Sequence, residues 1–340
     1  ARTMSKKSVQ TLDTIAGLAN VSKSTVSRAL NNSPLISQET KERIQAIAQE
    51  HNLRINAPAR NLRLRQSHTI AFIAPLYYPE FFSAEDLFGL ELLNGIGKGL
   101  SALRYDLLIV HVDPDDTAWA QAYLNSGRAD GFIILASNRR REHIKTLIEL
   151  EAPFIAWGVP LPKFNYCSVT GDNVMGGTLA TRHLIQSGRQ RIAFLGGPKD
   201  ELTVQYRFQG YEETLQAAGR SVAPGLIAYG DYTHASGIAA MQRLLHQSPD
   251  LDAVFVNSDL MAIGAISAIQ NSGKSVPEDI AVVGYDDLSI ATYNNLPLTT
   301  IRQNFHLVGK LMAQSLIQHI QTGVVTNVTT PVELVIRRSA

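Results

Sequence analysis

The hydrophobic residues of the first fifty positions recur at the spacing of three short amphipathic helices. Within each segment most of the apolar positions fall three or four residues apart, on one helical face. These positions are Leu12, Ile15, Ala16 and Ala19, then Val21, Val26 and Leu30, then Ile44, Ile47 and Ala48. Thr11, Ser22 and Ser37 precede the segments and are suited to cap the helices. Two short helices joined by a tight turn, braced by a third over about 38–51, predict a helix-turn-helix head.

From about Thr69 the pattern changes to short apolar runs, rich in β-branched residues, that alternate with amphipathic segments. The predicted strands are 69–74, 106–112, 131–137, 153–158, 191–197, 226–230, 253–259 and 280–287. The predicted helices between them include 85–104, 173–187, 205–218, 260–271 and 306–322. Near-continuous apolar strands separated by helices predict parallel sheets covered on both faces.

The predicted body has too many strands for one compact Rossmann unit. The run IAFIAP at 70–75 recurs as IAFLGG at 192–197, and PVELVIRRSA at 331–340 resembles a final strand. We therefore expect an α/β body of two similar doubly wound parallel-sheet subdomains with a cleft between them, as in periplasmic sugar-binding proteins. The predicted boundaries are 1–54 for the all-α helix-turn-helix head, 55–67 for a hinge, and 68–340 for the body.

Charge is divided unevenly between these parts, although the net charge of the chain is only +1. Residues 1–67 carry 11 Lys and Arg against 4 Asp and Glu, a net charge of +7. The remaining 273 residues carry 20 against 26, a net charge of −6. A basic head on a mildly acidic body indicates a polyanionic partner for the head.

The second predicted helix has an unusual outward face. After the inward Val26 and Leu30 are set aside, the residues left outside are Lys23, Ser24, Thr25, Ser27 and Arg28. Ser and Thr weaken a helix because their hydroxyls compete for backbone hydrogen bonds, so helix stability does not explain them. The N-terminal half of a recognition helix lies against base edges in the major groove, where Arg pairs with guanine and short hydroxyls reach bases or phosphates.

The motif TLDTIAGLANVSKSTVSRALN, residues 11–31, closely resembles the DNA-binding head of the lactose/galactose-repressor family. The resemblance implies that Lys23 and Ser24 occupy the two main base-reading positions and Arg28 a third. Thr14 and Asn31 complete the predicted DNA-contacting set of the head. The resemblance continues in the body, with GTLATRHLIQSGRQRIAFLGGP, RFQGYEETLQAAG, DLMAIGAISAIQNSG and DIAVVGYDDL. It therefore covers essentially the whole chain.

The segment between head and body mixes arginines with leucines and has too few apolar residues to fold alone. By itself this pattern is that of a solvated linker. The family resemblance instead implies a short helix that forms on DNA, in which Ala59, Arg60 and Leu62 contact the minor groove and Leu62 wedges between base pairs. Pro58 precedes this element, and proline is tolerated in a first helical turn.

Polar and aromatic residues follow the predicted strands of the body. The carboxyl ends of parallel strands meet at one sheet edge, where ligands bind. The candidate ligand-binding residues are Tyr77, Ser137, Trp157, Asp172, Arg207, Tyr232, Ser258 and Asp286. Carboxylates and a guanidinium bind vicinal hydroxyls, and aromatic rings cover the apolar face of a pyranose, so this set indicates a sugar site.

The resemblance sharpens the roles within that set. It implies that Arg207 and Asp286 are the principal ligand contacts, that Tyr232 is an aromatic wall, and that Ser258 stands where Asn is common. Gly158 falls where some relatives carry an acid, so the resemblance does not identify a monosaccharide. Two further acids, Asp259 and Asp287, are expected to cap the turns and helices that follow them.

Several other classes of protein lack support in the sequence. The glycines of NGIGKG lie inside a predicted helix without G-x-G-x-x-G spacing, and no H-x-x-x-H or H-E-x-x-H pair occurs. The single cysteine, Cys167, excludes an intramolecular disulfide and a cysteine-rich metal site. No apolar run approaches the ~20 residues of a membrane span, and no secretory signal is expected. We expect no cofactor, no metal, no membrane partner and a cytoplasmic location.

These patterns together predict a transcription repressor rather than an enzyme. We expect a homodimer whose two heads bind a palindromic operator, because one head places few charges on DNA. The leucine heptads that make some relatives tetrameric are absent. A small molecule in the cleft, expected to be a sugar, would change operator affinity. The alternative is a sugar-binding protein or a sugar-metabolising enzyme with an accessory basic head.

Overall fold

The computed structural model describes residues 11–30, 32–51, 53, 66–75, 87–113, 116, 118–137, 141–293 and 295–340. They belong to two units, a head within Ala1–Arg65 and a body within Gln66–Ala340. The predicted hinge lies largely at 54–65, outside the described residues, so its boundaries stay a prediction.

The head contains the three helices that the sequence predicts. They are α1 (Leu12–Ala19), α2 (Lys23–Leu30) and α3 (Gln38–Glu50). Their core cluster consists of Ile15, Ala19, Val26, Ala29 and Ile44; Ala48 is also buried, and the other predicted apolar residues pack partly buried around the cluster. Thr11 and Ser37 cap α1 and α3 through their side chains, as predicted.

The turn between α1 and α2 follows from local chemistry. Asn20 ends α1 in the left-handed conformation, with φ of 49°, which Asn adopts more readily than most residues. The hydroxyl of Ser22 then accepts a hydrogen bond from the Thr25 N–H at 3.1 Å and caps α2. The tight turn predicted from these residues is thereby confirmed.

The body contains two six-stranded sheets. The first consists of β1 (Thr69–Pro75), β2 (Asp106–Val112), β3 (Gly131–Leu135), β4 (Phe154–Trp157), β5 (Cys167–Gly171) and β11 (Asn327–Thr330), in the order β11-β5-β4-β3-β1-β2. The second consists of β6 (Ile192–Gly196), β7 (Ile227–Tyr229), β8 (Ala253–Val256), β9 (Ala281–Asp286), β10 (Thr299–Gln303) and β12 (Val332–Val335), in the order β12-β10-β9-β8-β6-β7. All pairings are parallel except that of β10 with β12.

All eight strands predicted in the body are present, and PVELVIRRSA provides the predicted final strand β12. The prediction omitted β5, β10 and β11. Their sequences, CSVTG, TTIRQ and NVTT, contain at least as many polar as apolar residues, so they lack the continuous apolar run that marks a buried strand.

Helices cover both faces of each sheet and enclose four apolar core clusters. They are α4 (Leu87–Ala102), α5 (Trp119–Asn125), α6 (Arg141–Glu149), α7 (Asn173–Gln186), α8 (Leu202–Ala217), α9 (His234–Gln247), α10 (Asp259–Asn271), α11 (Ser289–Tyr293) and α12 (Phe305–Thr322). No helix of the described part is both long and apolar enough to cross a lipid bilayer.

Three segments connect the two sheets, at 171–173, 303–305 and 330–332. Asp172 and Asn304 lie in the first two segments, where their side chains accept hydrogen bonds from the backbone and cap α7 and α12. The Asp172 N–H donates to the Thr330 carbonyl at 3.0 Å, which ties the first segment to the third. The three crossings therefore connect the two lobes of the body, the first lobe built on the sheet that contains β1 and the second on the sheet that contains β6.

Glycines bring pairs of helices into close backbone contact in both lobes. A Cβ at Gly177 of α7 would overlap the Arg207 carbonyl of α8, and one at Gly95 of α4 would overlap the Phe305 carbonyl of α12. Gly95 belongs to the NGIGKG run, and the structure confirms that this run lies inside a helix. Close helix packing thus explains these glycines without a nucleotide.

Candidate functional site

The outward face of α2 presents the polar set that the sequence singled out. Lys23, Ser24 and Arg28 are exposed, while Thr25 and Ser27 are half-buried beside the inward Val26. Thr14, on α1, is also exposed and forms a capping box with Thr11. The structure therefore leaves the three predicted base-reading side chains accessible on one short helix.

Two contacts organise this face. The Lys23 ammonium pairs with the Asp13 carboxylate of α1 at 2.7 Å, and both side chains are mostly exposed, at 59% and 65%. The Ser22 hydroxyl lies 2.8 Å from the hydroxyls of both Ser24 and Thr25. An ion pair this exposed is worth little, about 0–1 kcal/mol, so Lys23 can exchange Asp13 for a phosphate or base at small cost.

The remaining predicted DNA contacts, Asn31, Ala59, Arg60 and Leu62, lie outside the described residues, as does Tyr77 of the predicted ligand set. Their roles stay predictions from sequence.

The body contains a cavity of about 210 Å³ between the two lobes. Since one water needs roughly 10–15 Å³ in this measure, the cavity has room for a ligand of many atoms. It brings together six of the eight predicted ligand-binding residues: Ser137, Trp157, Arg207, Tyr232, Ser258 and Asp286. Phe88, Leu135, Leu260 and Leu288 add apolar wall. A few polar groups in a largely apolar concave site are typical of small-molecule recognition.

Arg207 is buried, with 6% of the residue exposed, and several contacts fix its side chain. Its Nε donates to Asn173 Oδ1 at 2.9 Å and its Nη1 to the Asn257 carbonyl at 2.7 Å. The guanidinium carbon lies 3.5 Å from the centroid of the Tyr285 ring, a cation–π geometry. Gly176 leaves the space that the Tyr285 ring fills. The cation is thus preorganised in the cavity by contacts made before any ligand binds.

Asp286 ends β9 and lies in the same cavity, 4% exposed. Its Oδ1 accepts a hydrogen bond from Gln303 Nε2 at 2.7 Å. Burial raises the pKa of the Asp286 carboxyl to about 7, despite the opposing influence of the Arg207 charge and the Gln303 hydrogen bond. The pair therefore offers a hydroxyl-bearing ligand a fixed donor and an acceptor that titrates near neutrality.

A hydrogen bond joins the two lobes across the cavity. Ser137 follows β3 of the first sheet, and its hydroxyl donates to Glu201 Oε1, at the start of α8 in the second lobe, at 2.6 Å. Both residues are buried. Tyr232, with φ of 73°, places its ring against Gly197, where no Cβ would fit. The Tyr232 ring therefore lies in the cavity, and its role as an aromatic wall for a ligand stays a prediction.

Asp172 is not among the described residues that line the cavity, because its carboxylate caps α7 in the crossing at 171–173. Its predicted role in ligand binding stays a prediction. Gly158 does line the cavity, with φ of 119°, a conformation that would strain an acidic side chain there.

The expectation that Asp259 and Asp287 cap following turns and helices is wrong. Asp259 is fully buried and accepts hydrogen bonds from Thr300 Oγ1 at 2.5 Å and the Leu288 N–H at 2.7 Å. Burial and the nearby Asp286 charge raise the pKa of Asp259 well above its usual range. Asp287 instead pairs with Arg302 and Arg337. Both carboxylates bind partners that are distant in sequence, and local residue spacing cannot identify such partners.

Sequence reasoning missed seven polar residues that line the cavity: Thr170, Asn173, Glu201, Thr203, Asp231, Thr233 and Gln303. Asn173 and Gln303 hold Arg207 and Asp286, and Glu201 meets Ser137. Glu201 ends the loop between β6 and α8, whereas Gln303 is the last residue of β10, a strand that the sequence pattern did not predict. Within the described residues, no group of three His, Cys, Asp or Glu side chains could hold a metal ion.

Two family models match the chain. Residues 11–56 match the model described as bacterial regulatory proteins, lacI family. Residues 77–338 match the model described as periplasmic binding proteins and sugar binding domain of the LacI family. The two matches cover the head and the body that the structure separates.

Known proteins and solved structures are similar to this chain over nearly its whole length. The HTH-type transcriptional regulator CelR of Thermobifida fusca is 36% identical over 98% of this chain and 97% of its own length. The ribose operon repressor of Escherichia coli K12 is 32% identical over 91% and 93%. Among solved structures, a CelR–cellobiose complex covers 97% of this chain and all of its own, with 33% identity and a TM-score of 0.75. A lac repressor dimer bound to operator and the anti-inducer ONPF covers 97% and 98%, with 28% identity and a TM-score of 0.83.

Proposed function

The chain belongs to the LacI family of bacterial regulatory proteins, and from that premise we propose that it is a sugar-responsive repressor of a sugar-utilisation operon. It binds a palindromic operator as a homodimer through two heads, and a sugar in the body cavity changes its affinity for that operator. It acts in the cytoplasm, where operator DNA and an imported sugar meet.

The observation that carries this proposal is the convergence of Arg207, Asp286, Tyr232 and Trp157 on one cavity. A fixed guanidinium and a carboxylate recognise hydroxyl pairs, while the two aromatic rings cover the apolar face of a pyranose. The same body carries a head whose exposed Lys23, Ser24 and Arg28 are suited to base edges. A sugar-binding protein without a regulatory role would not need this head.

Cellobiose and ribose are the first ligands to test, because similar proteins are named for complexes or operons that involve them. Trp157 lines the cavity, and the chain has 2 tryptophans, so ligand entry is expected to change the intrinsic fluorescence. Titration of the intact protein with cellobiose, ribose, glucose and galactose measures this directly. Absence of binding to every sugar of such a panel at millimolar concentration would count against a sugar effector.

The DNA partner is tested by selection from a library of random duplexes, followed by anisotropy titration of the selected sequence. A palindromic consensus, with affinity at least ~10³-fold above that for random DNA, is the expected result. A chain that binds sugar but does not discriminate between duplexes would favour the alternative of a sugar-binding protein with an accessory basic head.

A further inference from the structure

Two successive residues at the end of β9 have positive φ angles, which residues other than glycine adopt only rarely. Asp286 has φ of 109° and Asp287 has φ of 57°. Non-glycine residues with positive φ are uncommon, and they persist where surrounding contacts hold them. The turn after β9 is therefore maintained by its side-chain partners rather than by local preference.

Asp287 has two cationic partners. Its Oδ2 accepts from Arg302 Nε of β10 and its Oδ1 from Arg337 Nη2, both at 2.5 Å. The Asp287 side chain is 7% exposed and that of Arg337 15%. Arg337 is itself anchored, because its Nη1 donates to the Leu298 carbonyl at 2.8 Å. We call Arg302, Asp287 and Arg337 the clamp.

Contacts on either side of the clamp lead into the cavity. Asp286 accepts from Gln303, which follows Arg302 in β10, and the Leu288 N–H donates to Asp259. Asp286 and Leu288 line the cavity, whereas none of the three clamp residues is among the described residues that do. Any influence of the clamp on a ligand is therefore indirect, through the turn or through Gln303.

We propose that the clamp positions Asp286 for ligand binding. Asp287 and Arg337 are then positioning residues, although neither is among the described residues that line the cavity. The proposal rests on the proposed function of the cavity. It also gives the residues after β12 a role, because Arg337 holds Asp287, the residue next to the ligand-binding Asp286. Loss of the clamp lets the turn relax and lets Asp286 leave its buried position.

Arg337→Gln distinguishes positioning from simple electrostatics. The groups that act on Asp286 are Arg207, Gln303 and Asp259, with Tyr285 beside Arg207. Removal of one more cation would by itself raise the pKa of Asp286 or leave it unchanged. Release of Asp286 toward solvent would lower that pKa from about 7 toward its ordinary value of 3.8. The two explanations thus predict opposite signs.

The experiment follows the Asp286 carboxyl by NMR of ligand-free protein carrying ¹³C-labelled aspartate, with the signal assigned through Asp286→Asn. In Arg337→Gln we expect the titration midpoint to fall by at least about one pH unit. Glu333→Gln is the matched control, because Glu333 is exposed, lies on β12 and pairs with Arg302 through the Nη1 atom, which does not contact Asp287. Its midpoint should equal that of the wild type. An unchanged or raised midpoint in Arg337→Gln would overturn the proposal.

Cellobiose affinity is measured on the same proteins. We expect Arg337→Gln to weaken it about tenfold, as the loss of one hydrogen bond to a charged group would, and Glu333→Gln to leave it unaltered. A wild type that does not bind cellobiose would refute that ligand for the proposed function, and the titration would still decide the clamp. If Arg337→Gln does not fold, Arg337→Lys is titrated instead. Lysine keeps the charge but cannot bond Asp287 and the Leu298 carbonyl together as the guanidinium does. An Asp286 titration midpoint equal to that of the wild type would again contradict the proposal.

Discussion

The outward face of α2 and the cavity of the body both use a cationic side chain, an acid and hydroxyls, but they hold them in opposite ways. Lys23 is 59% exposed and pairs with an equally exposed Asp13. Arg207 is 6% exposed, makes two hydrogen bonds and lies over an aromatic ring. The head presents its chemistry on the surface, whereas the body builds its chemistry into the fold.

The difference follows from what each surface recognises. DNA carries its own charge and reaches the head from solvent, so hydrated and adaptable side chains suffice, with a small apolar core beneath them. A neutral sugar has only hydroxyls and an apolar face, so its partners must be fixed and partly desolvated to compete with water. Changes in the cavity should therefore alter stability, and changes on α2 should alter binding alone.

The largest expected effect concerns the pH dependence of stability. Because the folded protein keeps a proton on Asp286 up to a pKa of about 7 that the unfolded chain loses near 3.8, the free energy of unfolding should fall as pH rises between these values. The fall amounts to about 4 kcal/mol. Asp286→Asn should lack it. Urea unfolding at several pH values, followed by fluorescence of Trp119 and Trp157 in the body, measures the difference. Parallel curves for mutant and wild type would refute the buried, proton-binding Asp286.

Next in size is removal of the fixed cation. Arg207→Ala leaves Asp286 buried without its opposing charge and removes the hydrogen bond to Asn173 Oδ1. The free energy of unfolding should therefore fall by about 3 kcal/mol. Lys23→Ala in the head is the matched control and should change it by less than about 0.5 kcal/mol. Urea unfolding of both proteins at pH 7 gives the comparison. Equal effects would erase the contrast between the two surfaces.

A third test uses glycines instead of charges. Gly177→Ala should lower the free energy of unfolding of the body by about 2 kcal/mol, because its Cβ would overlap the Arg207 carbonyl and push α7 from α8. Gly17→Ala in α1 meets no atom within 4 Å and should stabilise the head by about 0.5–1 kcal/mol. Thermal unfolding monitored by circular dichroism separates the signs. Destabilisation by both substitutions would contradict the open environment of Gly17.

The smallest expected effect is the most specific. Arg28→Ala should weaken operator binding roughly tenfold, at the lower end of a bidentate base contact because Lys23 and Ser24 remain. It should relax base preference at one position and leave stability unchanged. Anisotropy titrations on operator and on random duplex measure both quantities. An equal loss on the two duplexes would mean that Arg28 contacts phosphate alone.

Sequence was sufficient for those parts of the fold that local pattern dictates. The three head helices, their caps and the apolar strands follow from spacing and capping chemistry alone. The strand β11 escaped prediction because its four residues, NVTT, are mostly polar and their pairing with β5 joins positions about 160 residues apart. Nothing in the local pattern records such a partner.

The residues of the cavity could be predicted from sequence only in part. Arg207, Asp286 and Tyr232 could be assigned to one place because parallel strands deliver their ends to one edge. Glu201 was missed because its position depends on how the two lobes meet, and Gln303 because its strand, β10, was not predicted. Asp287 was misassigned because its partner Arg337 lies 50 residues away.

The measurement that most directly tests the account is operator affinity with and without saturating sugar, for the wild type and for Arg207→Ala. We expect sugar to change wild-type affinity about 5- to 150-fold, with a reciprocal effect of operator on sugar affinity. Arg207→Ala should bind operator as tightly as the ligand-free wild type and show no response. A wild type that binds sugar with unaltered operator affinity, or a mutant that still responds at the same sugar concentration, would contradict the proposal that the cavity controls the head.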